Sequence, residues 1–193
     1  MKLRESGMPE EAFWESLFNI ELILDQLGVT NSLHDVAELG SGYGTFTIPV
    51  AKRISGTIDT IDIDPEMVKR TCERVRKAGL HNVLCYGADI LKTGFKCTSE
   101  SKNACLLFNI LHGEEPLNIL NEAMRVVRPD GFVFVIHWRS DINTPRGPSI
   151  DIRPRPEQII SWAQETKLLR LDSPVIDLPP WHYGIRLKRI NAK

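Results

Sequence analysis

Three carboxylates close three successive β-rich runs: Glu38 in VAELGSGYGTF, Asp62 in TIDIDPEM and Asp89 in GADI. The first lies two residues ahead of a glycine-rich turn that contains Gly40, Gly42 and Gly44. A strand-to-helix turn of this kind points backbone N–H groups at a ligand and favours an anion. Glu38 argues against a pyrophosphate there, because a carboxylate repels phosphate and attracts a cation. The Gly-x-Gly-x-x-Gly fingerprint of dinucleotide sites is also incomplete, since its sixth position is Thr45. S-adenosylmethionine carries an ammonium and a sulfonium near its methionine end and no phosphate, so these residues favour it over NAD. Asp62 can accept bonds from both ribose hydroxyls, a role open to any adenosine cofactor. Asp64 competes for that role, but its place before Pro65 suits a helix N-cap better. Asp89 is either a cap for its own loop or an acceptor for the adenine amino group, with Ile90 packed on the ring.

The elements that must position these residues alternate. Phe13, Trp14, Leu17, Ile20, Leu24 and Leu27 recur at helical spacing, and Gly28 can end that helix. Strands are expected at 36–39, 57–63, 83–86, 104–109 and 132–138, with helices at 45–54, 64–78 and 115–127 between them. The 132–138 run is nearly all apolar, as a strand covered on both faces must be. Residues 139–156 hold Pro145, Pro148, Pro154 and Pro156 with Gly147, and read as a long loop of the kind that carries function. A helix at 156–166 precedes two strands, 169–177 and 183–190, whose short Pro179-Pro180-Trp181-His182 link makes them antiparallel. Strand–helix alternation implies a doubly wound α/β sheet. Ligands bind such sheets beyond the carboxyl ends of the strands.

The motifs together resemble those of class I S-adenosylmethionine-dependent methyltransferases, over about 35–190. ELGSGYG is similar to the first motif of that family, IDIDPEM to the second, GADI to the third and LLFNILH to the fourth. VVRPDGFVFVIHW resembles the helix–turn–strand that closes the sheet. The resemblance implies an α/β, Rossmann-like methyltransferase fold: a mostly parallel, seven-stranded sheet whose last strand is antiparallel. It implies that Glu38, Gly40, Gly42, Asp62, Ile63, Asp89, Ile90 and Asn109 contact the cofactor, with Ser41, Tyr43, Gly44, Thr45, Met67, Ala88 and Ile110 beside them. It departs from the family pattern at Pro49 and at Asn103-Ala104, and neither change obstructs the cofactor.

Methyl transfer is an in-line displacement that needs alignment and dryness more than a fixed catalytic residue. A base is required only if the nucleophile arrives protonated. Strand ends supply His112, His137 and Arg139 as catalytic candidates, with Trp138 beside them; His137, inside an apolar strand, reads more readily as a satisfied core histidine. The 139–155 loop carries Arg139, Arg146, Arg153 and Arg155 against Asp141 and Asp151. It is either a solvated loop with internal ion pairs or a lid whose guanidinium forks recognise a substrate carboxylate or phosphate. Residues 1–30 are expected to form a helical cover, with Trp14 either over the site or packed on the sheet. The 178–184 turn is expected at the mouth of the site, with at least one of Trp181, His182 and Tyr183 lining the acceptor cavity.

The chain's 193 residues suit one domain at about 150 residues per domain. With 24 Lys+Arg against 25 Asp+Glu, the formal charge of −1 gives no general basic field, so nucleic acid is not the expected partner. Cys72, Cys85, Cys97 and Cys105 form no Cys-x-x-Cys pair, so neither zinc nor a disulfide framework is expected. They are expected to be buried thiols of a soluble, cytoplasmic protein, with no metal and no membrane span. The expected partner is a small-molecule acceptor, and the expected product of the cofactor is S-adenosylhomocysteine. The competing readings are an NAD(P)-dependent oxidoreductase and a non-catalytic S-adenosylmethionine-binding protein.

Overall fold

Strand β1, Val36–Leu39, is buried at every residue and forms the middle of the sheet. The computed structural model describes residues 8–191. On one side β1 pairs in parallel with β2 (Ile58–Asp62), which pairs in parallel with β3 (Val83–Gly87). On the other it pairs in parallel with β4 (Lys102–Phe108), followed by β5 (Val127–Trp138). Two short segments, β6 (Leu169–Leu171) and β7 (Ile176–Leu178), and the longer β8 (His182–Arg189) finish the sheet. The order is β3-β2-β1-β4-β5-β8-β6, with β7 also on β8, and β8 runs antiparallel to its neighbours.

Side chains of β4 and β5 alternate between two apolar layers, as the two-residue period of a strand demands. Ala104, Leu106, Phe134 and Ile136 join Leu24, Leu27 and Val50 on one face. Cys105, Leu107, Val133 and Val135 join Ile119, Leu120 and Ile159 on the other. The first layer is covered by α1 (Glu11–Ser16), α2 (Ile20–Leu27) and α3 (Thr47–Arg53). The second is covered by α6 (Pro116–Val126) and α7 (Pro156–Glu165). Helix α4 (Pro65–Lys77) packs on β2 and β3, and the one-turn α5 (Ile90–Thr93) follows β3. Asp64 is the N-cap of α4, with Pro65 in its first turn, as the sequence implies. Among the described residues, no helix is long and apolar enough to cross a membrane.

Four local expectations are corrected. The single N-terminal helix is two: Leu17 caps α1, and the Asn19 side chain accepts from Leu22 N–H to start α2. The break lets both Leu17 and Phe18 turn into the core. Strand β5 starts at Val127, opposite Lys102; the chain bulges through Asp130, at φ +63°, and rejoins the ladder at Phe132. The sixth strand is split into β6 and β7, with Pro174 in the gap, where no N–H is available for a ladder bond. Of the four thiols only Cys105 is fully buried, and Cys72 is exposed.

Leu106, in mid-β4, is fully buried in the first layer. Leu106→Ala is expected to lower stability by about 2–5 kcal/mol, the transfer loss plus a cavity that strands on both sides keep from collapsing. Urea unfolding of the two proteins checks this.

Candidate active site

The carboxyl ends of β1, β2 and β3 open onto one cavity, whose wall continues past β4 to the end of β5. Glu38, the third residue of β1, is 2% exposed yet lines this cavity. Its Oε2 accepts from the Thr47 hydroxyl of α3 and, at 2.7 Å, from the Thr60 hydroxyl of β2. Each hydrogen bond to a charged group is worth about 1.5–3 kcal/mol and favours the ionised form. Burial opposes them and wins: it pushes the Glu38 carboxyl up to about 7, with the Asp62 charge adding to it. The site thus holds a carboxyl poised to ionise when a cation arrives.

Asp62, at the end of β2, is tied to the glycine turn. Its Oδ2 accepts from Gly42 N–H and its Oδ1 from Asp64 N–H, both at 2.9 Å. Burial raises its pKa against those backbone bonds. The turn itself brings backbone close to the wall. A Cβ on Gly40, at φ +83°, would lie 2.7 Å from Ile110 Cδ1, and one on Gly42, at φ +50°, 3.2 Å from Met8 Cε. Asp89 caps α5, accepting from Leu91 N–H at 3.1 Å, so its capping role is realised within the wall.

Three buried polar atoms around the cavity, Ser41 Oγ, Thr45 Oγ1 and Asn109 Oδ1, have no hydrogen-bond partner among the described residues. Asn109 also holds φ +57° at the end of β4, a left-handed conformation uncommon for a side-chain-bearing residue. Unsatisfied polar atoms and local strain gathered in one cavity fit a polar ligand. A ligand with an ammonium, a carboxylate and ribose hydroxyls would satisfy them.

Of the expected cofactor residues, all but Tyr43 and Gly44 line the cavity. The Tyr43 hydroxyl instead donates to Pro9 O at 2.7 Å, and Gly44 faces Thr71 of α4. Helix α1 is held on α4 by Glu11 and Glu15, which pair with Arg70 and Arg74. Met8 and Trp14 thereby reach the wall, whereas residues 1–7 of the expected cover lie outside the described residues.

Of the acceptor-side residues, Asn109, His112, Trp138, Arg146, Gly147 and Pro148 line the cavity. His137 does not: it is fully buried, its Nδ1 is 3.3 Å from Trp138 O, and its ring meets the His112 ring edge at 5.5 Å. Burial holds it near 3, hence neutral. Arg139 turns outward to Asp141. The 178–184 turn lies at the strand ends, as its topology requires, but none of Trp181, His182 and Tyr183 reaches the cavity. Pairing with β5 decides this. His182 lies opposite Trp138, stacks on Phe18 and packs at a tilt against the Trp138 ring. Tyr183 turns to the other face, where its hydroxyl donates to Pro154 O at 2.6 Å, and Trp181 packs on the first apolar layer. The substrate role expected for these three is withdrawn.

Trp138, at the end of β5, lines the wall, whereas Phe46, Phe108, Gly147 and Pro148 were missed as site residues. Phe108 also stands at a strand end, which was a usable signal. Gly147 and Pro148 are brought in by tertiary bonds of their loop, and sequence periodicity carries none of these.

A family model described as a methyltransferase domain matches residues 36–131. No curated protein matches the chain. A SAM-dependent methyltransferase from Aquifex aeolicus superposes with a TM-score of 0.81 at 22% identity, over 94% of each chain. The N-methyltransferase NodS from Bradyrhizobium japonicum WM9 gives 0.69 at 15%, over 95% of this chain and 100% of that one. Geranyl diphosphate C-methyltransferase from Streptomyces coelicolor A3(2), in complex with Mg2+, geranyl diphosphate and S-adenosylhomocysteine, gives 0.72 at 12%, over 89% and 78%. At these identities the neighbours show the fold. The family match identifies residues 36–131 as a methyltransferase domain, and the chain has the fold of S-adenosylmethionine-dependent methyltransferases. It is an enzyme, and S-adenosylmethionine is its methyl donor.

The raised Glu38 value has a consequence for the cofactor-free protein. The folded-state pKa, about 7, lies above the ordinary 4.5, so the unfolded chain gives up this proton first as pH rises. Stability is lost as pH climbs from the lower value through the upper one, by on the order of 2–3 kcal/mol. Glu38→Gln is free of this loss, while Asp62 contributes equally in both proteins. Urea unfolding of both at about pH 5 and about pH 8 is expected to show the variant gaining on the wild type at the higher pH.

Proposed function

We propose that the enzyme methylates a small molecule, with the cofactor seated over β1–β3 and the acceptor between Asn109 and Arg146. The observation that carries this reading is the placement of Glu38, Asp62 and Asp89 at three consecutive strand ends around one cavity. When bound, S-adenosylmethionine supplies an electrophilic methyl carbon on a sulfonium that departs as the neutral thioether. Glu38 Oε1 has no hydrogen-bond partner among the described residues, which suits the cationic methionine end. The Ser41 and Thr45 hydroxyls suit its carboxylate. Asp62 holds the ribose hydroxyls with lone pairs that its two backbone bonds leave over. Asp89 and Ile90 hold the adenine, the carboxylate toward the amino group and the aliphatic chain on the ring.

On the acceptor side, Trp14, Phe46, Phe108 and Trp138 exclude water and align the nucleophile. As the new bond to carbon forms, the carbon–sulfur bond breaks and its electron pair stays on sulfur. If the nucleophile is protonated, His112 takes that proton, with the neutral His137 ring fixed behind it. Small-molecule acceptors are also named for neighbours of this fold, geranyl diphosphate among them. An oxidoreductase reading has less support, because Glu38 stands where a pyrophosphate would go. The continuation of the cavity from Asn109 to His112 and Arg146 favours catalysis over cofactor binding alone.

Asp62→Ala is expected to weaken S-adenosylmethionine and S-adenosylhomocysteine binding by about 10- to 100-fold, the loss of about 1.5–3 kcal/mol of carboxylate–hydroxyl bonding. Calorimetry on the folded variant measures it; unchanged affinity would move the ribose to another acid. In the wild type, S-adenosylmethionine affinity is expected to rise with pH through about 7, where Glu38 loses its proton. Glu38→Gln is expected to flatten that rise. Tighter binding of NADH than of either adenosyl cofactor would sink the assignment of the site.

A further inference from the structure

The cavity wall is electrically lopsided. Its described acids, Glu38, Asp62, Asp64 and Asp89, all lie toward β1–β3. Beyond Asn109 the described wall holds no carboxylate, and its one formal charge is Arg146. That arginine belongs to the loop that follows β5, and a second arginine fixes the shape of the loop. Arg153 is 7% exposed. Its Nε donates to Pro148 O at 2.7 Å, its Nη1 to Arg139 O at 2.9 Å and its Nη2 to Arg146 O at 3.5 Å. One planar fork thus clamps three points of the loop, and two of them, Arg146 and Pro148, are wall residues.

The clamp leaves a charge uncompensated. Carbonyl oxygens satisfy N–H donors but do not neutralise a guanidinium, and Arg153 has no carboxylate partner among the described residues. Arginine keeps its proton in proteins even when buried. Its field is felt nearby: after burial itself, Arg153 is the cause that holds the His182 pKa down, to about 3. Behind the acceptor end there is therefore a fixed positive charge, with neutral histidines beside it. Unpaired buried charge is costly, and a ligand anion would offset that cost.

The same loop also sets an apolar boundary. Gly147, at φ +112°, lies flat on Trp138, where a Cβ would sit 2.9 Å from the indole ring. Trp138 in turn meets Trp14 edge to face, with ring centroids 6.3 Å apart. The subsite therefore presents aromatic walls with a cationic end.

We propose that the methyl acceptor is a small oxyanion, a carboxylate or phosphate on an apolar body, whose anionic group binds Arg146 at the wall that Arg153 shapes. This rests on the methyl-transfer reading of the cavity and names the substrate class for it. Arg153 is a positioning residue: it acts through the loop and through its charge without touching the acceptor.

Calorimetry on protein saturated with S-adenosylhomocysteine tests the proposal with four probes: phenylacetate, phenyl phosphate, 2-phenylethanol and 2-phenylethylammonium. At least one oxyanion is expected to bind about tenfold or more tighter than the alcohol and the ammonium, the worth of a charge-assisted contact. Arg146→Gln, a change at a partly exposed side chain, is expected to abolish that preference with S-adenosylhomocysteine affinity intact. Arg153→Lys keeps the charge but cannot span three carbonyls; it is expected to weaken the oxyanion about tenfold, again with cofactor affinity intact. The proposal is overturned if the alcohol or the ammonium binds as well as the oxyanions, if Arg146→Gln leaves the preference unchanged, or if no probe binds the loaded protein. Failure of S-adenosylhomocysteine itself to bind is a different result: it removes the cofactor assignment, and this inference with it.

Discussion

The cofactor end of the molecule is organised by one buried carboxylate. Glu38 accepts from Thr60 on the neighbouring strand and from Thr47 on the helix that leaves the glycine turn. A single side chain therefore joins β1, β2 and α3 at the point where the chain must turn sharply over the sheet. Asp62 repeats the device one strand away, gripping Gly42 and Asp64 N–H. Neither carboxylate is a cheap structural tie, because burial raises the pKa of both despite their hydrogen bonds. An apolar residue at position 38 would pack in the same core without that cost. The structure tolerates the penalty where a bound cation would relieve it, so stability and ligand binding are opposed in this one group.

The acceptor end is built on the opposite principle. It stands on a loop with little regular structure beyond one 3-10 turn, Ile150–Ile152. Main-chain carbonyls that regular structure would have paired are taken up by the Arg153 guanidinium. Acid at one end is thus held by strands and helices, and base at the other by a loop. A sulfonium and an incoming nucleophile need such an arrangement, with cation-stabilising groups behind the donor and none of them beside the acceptor.

This division explains what the sequence could tell. The carboxyl ends of β1, β2 and β3 were legible because a strand of period two followed by Gly or by Asp-Pro leaves little freedom in where Glu38, Asp62 and Asp89 stand. The Asn19 break within the first helix was hidden, since apolar spacing continues unchanged across it. Tyr43 shows the limit within a motif: it lies between two glycines of the turn, yet its ring points away to Pro9. The wall at Gly147 and Pro148 was illegible for a stronger reason. Its position depends on Arg153 reaching back across the loop, and no local propensity encodes that contact.

The 178–184 turn shows how a correct topology still misplaces side chains. An antiparallel β8 does bring the turn to the strand ends, as inferred. Yet the register, Trp138 opposite His182 and His137 opposite Tyr183, sends successive residues to opposite faces of the sheet. His182 becomes the floor under Trp138, and Tyr183 anchors Pro154 at the end of the loop. His182 and Tyr183 thus serve the site at one remove: one packs on Trp138 and the other holds Pro154 of the loop. On the proposed reading, a change in this turn would act on the acceptor through the placement of that wall, whereas a change at Glu38 or Asp62 would act on the cofactor through charge. The two ends of the cavity are accordingly held by separate sets of contacts, the carboxylate bonds at β1 and β2 and the Arg153 bonds of the loop.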